Sequence, residues 1–167
     1  CINHFLIVRE HPDPQFQFDL DIATRLVKEV TLQAGGHTPT VFFDSQQGTG
    51  MVHIPDFADT HAARAQQMFS IGFALAQTVR YHALNQVFLV SEAWMSVNPQ
   101  GLPLDHLPSE DPNRKEILMI AGLSIITQQS DLAVIEMIRN QAGDLVELRD
   151  MDTASPSDTY INSPLLA

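Results

Sequence analysis

The chain has 167 residues, 44% of them apolar and 17% charged, which is enough for one folded domain with a real core and leaves fewer surface charges than usual. Its 20 Asp and Glu outnumber its 9 Lys and Arg, a net charge of −11, and no basic run interrupts the acidity. A phosphate backbone or an anionic membrane would be repelled by such a surface, so neither is expected as a partner.

The longest apolar run, residues 117–126, is broken by Gly122 and Ser124 and falls short of the roughly 18 to 20 residues a membrane span needs. Phe5-Leu-Ile-Val8 is too short for a signal-peptide core and is followed by Arg9 and Glu10. With one cysteine there is no disulfide framework, and a cytoplasmic location is the default expectation. Cys1 heads the sequence, but Ile2-Asn3-His4 supplies no pattern for an N-terminal nucleophile.

In chain order, residues 2–9 fit a short strand or a helical turn. Asp13-Pro14 is a helix start, Leu20, Ala23, Leu26, Val27, Val30 and Ala34 recur at helical spacing, and Gly35-Gly36 ends the run. The first helix is therefore expected over 14–34. Pro39 to Phe43 and Met51 to Pro55 read as the arms of a hairpin over 39–55, joined by the turn residues of 44–50. Gly48-Thr-Gly50 lacks the lysine and the spacing of a phosphate loop and leads into a strand, so it is read as turn chemistry. A second helix, 59–83, is capped by Asp59 or Thr60; Ala65, Met68, Ile71, Gly72, Leu75, Ala76 and Val79 are its expected buried stripe.

The rest is β-rich. Val87 to Val90 is the centre of a strand over 86–95, and a proline-punctuated loop, 96–114, follows. Further strands are expected at 115–128, 132–139 and 145–149, with connections too short for parallel crossovers. The fold class is α+β: a mainly antiparallel sheet of about five to six strands, with two main helices packed on it. Residues 1–150 form the single domain, and the polar tail 151–167 is expected to lie on its own or a neighbouring subunit.

Three constellations could carry chemistry. His53, Asp56, Asp59 and His61 fall within nine residues and could bind a divalent metal such as zinc, iron or manganese; yet the spacing matches no metal motif, and Asp59 is explained as a helix cap. Glu92 shares a strand face with Phe88, Val90 and Trp94, so it needs a partner or a raised pKa; it is the candidate catalytic acid or base, unless Arg114 or Lys115 pairs with it. Arg114, in the charged segment 109–116, could hold an anionic ligand beside Trp94. Histidines 4, 11, 37, 82 and 106 are read as polar surface. The nucleophile elbow, the zinc-protease motif and the dinucleotide glycine fingerprint are absent from the sequence.

These features favour a binding or assembly module of unknown ligand, most simply a two-fold homo-oligomer, an expectation that rests on the low surface charge, the Ala/Gly-rich second helix, whose small residues allow close approach to a sheet or a partner helix, and the polar tail. The competing expectation is a metal-dependent or carboxylate-based hydrolase, its site formed where 53–61, Glu92 and the long loop meet.

Overall fold

The computed structural model describes residues 5–9, 20–46, 48–58, 60–78, 84–97, 108–125, 127, 129–151 and 159–160. Strands β1 (Phe5–Arg9), β2 (Thr40–Ser45), β3 (Gly48–His53), β4 (Leu84–Val97), β5 (Lys115–Ser124), β6 (Ser130–Arg139) and β7 (Leu145–Asp150) form one sheet, with helices α1 (Leu20–Ala34) and α2 (His61–Thr78). The strand order is β1-β3-β2-β4-β5-β6-β7, every pairing is antiparallel, and the two-residue β8 (Thr159–Tyr160) pairs with the end of β4. This is the expected α+β fold, and all six expected strands are in it. The segments 10–19, 79–83 and 98–107, most of the tail, and with them the Asp13-Pro14 helix start lie outside the described residues.

Boundaries differ from expectation where pairing decides them. Strand β4 gains residues at both ends because Leu84 pairs with Ser45 and Val97 with Thr159. Strand β5 stops at Ser124, four residues early, because the Ser124 hydroxyl accepts the Thr127 N–H at 3.2 Å and turns the chain. The register then carries the chain straight into β6 at Ser130. Helix α2 begins with Thr60 as its cap: the hydroxyl accepts the Ala63 N–H at 3.3 Å. Helix α1 ends at Gly35, whose φ of 74° is the left-handed position that glycine occupies without a Cβ penalty.

Each helix covers a different part of the sheet. Ala23 and Val27 of α1 pack with Phe88, Val90, Leu118, Ile120, Ile135 and Met137, so α1 lies over β4 to β7. Ile71 and Leu75 of α2 pack on the opposite face, against Val41, Phe43, Val52 and Leu89 of β2 to β4. The two elements are offset across the sheet, and on the α1 face the β2–β3 hairpin is left without a helix above it. Leu26 (48% exposed) and Val30 (55%), which belong to the expected apolar stripe, overhang this uncovered strip. The α2 stripe is likewise narrower than its sequence implies. Ile71 and Leu75 are buried and Met68 half-buried, whereas Ala65 and Gly72 face outward. Small residues close to an aliphatic stripe extend it in sequence without being needed to fill the core.

Candidate functional site

The offset leaves a cleft of about 400 Å³ between α1 and the hairpin. Ala23, Leu26, Val27 and Val30 form its helical wall, Phe42 and Met51 its floor, and His37 and His53 its polar end. Its volume lies within the roughly 300 to 1,000 Å³ typical of small-molecule sites, and its composition, apolar with a few polar groups, is typical as well.

Both imidazoles are oriented by threonines. The Thr40 hydroxyl donates its single proton to the Thr38 carbonyl at 2.7 Å. It can then only accept from His53 Nδ1, 3.0 Å away, so neutral His53 carries its proton on Nδ1 and a bare lone pair on Nε2. His37 Nδ1 lies 3.0 Å from the hydroxyl of Thr31, a fully buried residue of α1. The other ring nitrogen of His37 is Nε2. That Nε2 is buried and, among the described residues, one of only two buried side-chain polar atoms without a hydrogen-bond partner. Such an atom costs free energy on the order of 1–3 kcal/mol.

Burial holds the His37 pKa below the ordinary 6.5, and the nearby His53 pushes it the same way. The native state therefore resists protonation that the unfolded chain accepts. Stability from this group is fully present above pH 6.5 and is lost as pH falls below it, since there the unfolded state binds more protons. Urea midpoints measured at pH 8 and pH 5 should drop less in His37→Gln than in the parent. Equal drops would show that His37 is not desolvated.

Glu92 is bonded to the loop after α1. Its Oε1 accepts the His37 backbone N–H at 2.6 Å, which pins the loop after α1. Neither basic partner expected for it is used. Lys115 pairs with Met95 across the ladder and sits on the other face of the sheet, where its ammonium meets Glu136 at 3.1 Å. Arg114 lies over the Trp94 ring, 4.5 Å from its centroid, and donates to the Ser109 carbonyl at 2.8 Å. The two candidate ligand-binding residues thus come together with each other. Beside Glu92 on the same face, Glu116 takes a forked pair of bonds from Arg139, whose Nη1 also donates to the Gly35 carbonyl at 3.1 Å.

Of the four candidate metal ligands, His53 sits at the end of the cleft, and Asp56 is exposed, its carbonyl held by Gln67 at 2.9 Å. Asp59 and the His61 side chain lie outside the described part. Among the described residues no three His, Cys, Asp or Glu side chains come together as a metal site. His37, Thr31 and Thr40 were not legible as site residues. The one sequence signal is Thr31, a polar residue one turn after Val27 on the buried face of α1, with His37 just beyond the glycines.

No described helix is long and apolar enough to cross a membrane. Comparison with protein-family models, with curated proteins and with solved structures finds no match to the chain.

Proposed function

We propose that the protein is a binding module whose α1–hairpin cleft takes a small, mainly apolar molecule, polar end toward His37 and His53. One observation carries this reading: a cleft of small-molecule size, mainly hydrocarbon in its lining, has two imidazoles held by threonines at one end. A ligand body in the cleft covers Leu26 and Val30. Full burial of such side chains is worth about 1.5–3 kcal/mol each, so covering their exposed halves contributes about half of that.

A second reading, two-fold self-association, is favoured by α2. Phe69 (75% exposed) and Phe73 (61%) stand one turn apart on its outer side, where every described exposed residue is uncharged. On a chain of net charge −11, an uncharged face is where a second copy meets least repulsion. The hydrolase alternative draws less support, because Glu92 is committed to the His37 backbone.

The neutral dye Nile red separates the first two readings. Saturable binding at one dye per chain, weakened about tenfold or more by Val30→Trp and unchanged by Phe69→Ser, supports the cleft. Binding lost in Phe69→Ser and kept in Val30→Trp would move the apolar site to α2.

A further inference from the structure

Independently of the cleft and of α2, we infer that two copies of the chain join edge to edge through β7, in an antiparallel two-fold pairing centred on Leu148.

Strand β7 ends the sheet order and, among the described residues, pairs only with β6. Val146, Glu147, Arg149 and Asp150 are exposed along it. The ladder fixes which of its backbone groups are free. Met151 donates its N–H to the Val134 carbonyl at 3.0 Å, so by the alternation of an antiparallel pair Glu147, Arg149 and Met151 turn their N–H and C=O toward β6. Leu148 and Asp150 turn theirs outward, a row of donors and acceptors that a further strand would satisfy. The register shift of the β6–β7 pair falls between Leu145 and Glu147, before this row, and leaves it regular.

The side chains select both the occupant and its register. A two-fold pairing of β7 with itself can be centred on Glu147, Leu148, Arg149 or Asp150. Centring on Glu147, Arg149 or Asp150 sets that charge against its own copy, and like charges directly opposite are destabilising. Centring on Leu148 sets leucine against leucine, and Glu147 of each copy against Arg149 of the other. These charged pairs then fall at the non-hydrogen-bonded positions, where cross-strand side chains are closest. Within one chain Arg149 already meets Glu147 at 3.0 Å, so the pairs of the two copies close into a ring of alternating charge. Asp150 is paired with Lys28 of α1. On a chain of net charge −11 this edge is therefore locally neutral, and a second copy can approach it without repulsion.

The test is sedimentation velocity on the full chain up to high micromolar concentration, with Arg149→Glu and Glu147→Arg alone and mixed, and circular dichroism to verify folding. The parent should dimerise. Each variant alone sets like charges opposite and should dimerise on the order of tenfold more weakly or worse, whereas the mixture should recover a heterodimer, every cross-strand pair again being of opposite charge. Amide hydrogen exchange reads the ladder itself: Leu148 and Asp150 should slow as concentration rises, while Glu147 and Arg149, already bonded to β6, should not. Should one variant fail to fold, that exchange pattern in the parent decides alone. A monomeric parent, a dimer equally strong in both variants, or a mixture that does not associate would overturn the inference and leave the cleft reading standing. A dimer lost in Phe69→Ser and kept in both β7 variants would also overturn it and move the interface to α2.

Discussion

Arg139→Met should lower the stability of the folded chain by about 2–3 kcal/mol, a loss of about 5–10 °C in Tm for a domain of this size. The guanidinium is held by Glu116 through contacts of 2.7, 2.8 and 3.1 Å, and it also donates to the Gly35 carbonyl at 3.1 Å and the Gly143 carbonyl at 3.2 Å. It therefore ties the C-terminal end of α1 to β6 and to the β6–β7 turn, where a cation also suits the helix dipole. The hydrogen bond to Glu116 raises the guanidinium pKa further, so the group is charged throughout the folding range. Methionine keeps the aliphatic stem but strands the Glu116 carboxylate, of which 19% is exposed. That residual contact with water is why the expected loss lies below the roughly 3–5 kcal/mol of a fully buried pair. Adding Glu116→Met should recover most of the loss, because no unpaired charge is then left. Arg139→Lys should not, since an ammonium cannot form the fork. Chemical denaturation of the four proteins checks this, and a single variant as stable as the parent would contradict it.

Gly122→Ala should cost about 1–3 kcal/mol, although both residues are small and the site lies inside a strand. Gly122 pairs with Phe88 across the β4–β5 ladder, and the Phe88 ring lies over it. A Cβ there would stand 2.6 Å from Phe88 Cε1, and the ring cannot retreat freely because it is buried against Ala23 and Val27 of α1. Phe88→Leu should therefore reduce the penalty of Gly122→Ala, giving a coupling on the order of 0.5–3 kcal/mol in a double-mutant cycle. Additive effects would mean the ring does not rest on the glycine.

The α+β layout was legible because it rests on local signals. Apolar spacing marked both helices, and the turn residues near 130 and 142 were too short for anything but antiparallel connections. Which face each helix covers was not legible. Leu26 and Val30 look the same in sequence as Val27, and only the offset of α1 toward β4–β7 buries Val27 while leaving the other two exposed over the cleft. The partner of Glu92 was missed for a related reason. Lys115 and Arg114 are near it in the strand-pair picture, but the alternation of β5 sends Lys115 to the opposite face, while a backbone N–H from 55 residues earlier reaches the carboxylate. Thr31 and Thr40 acquire meaning only once His37 and His53 are folded against them.

The most direct measurement is an NMR nuclear Overhauser experiment on methyl-labelled protein with bound Nile red. Cross-peaks from the dye to the methyl groups of Leu26, Val30 and Met51, with the ring protons of His37 and His53 shifting on the same titration, are the predicted result. Cross-peaks to residues of α2 instead, or saturable binding with none to the α1–hairpin cleft, would contradict it.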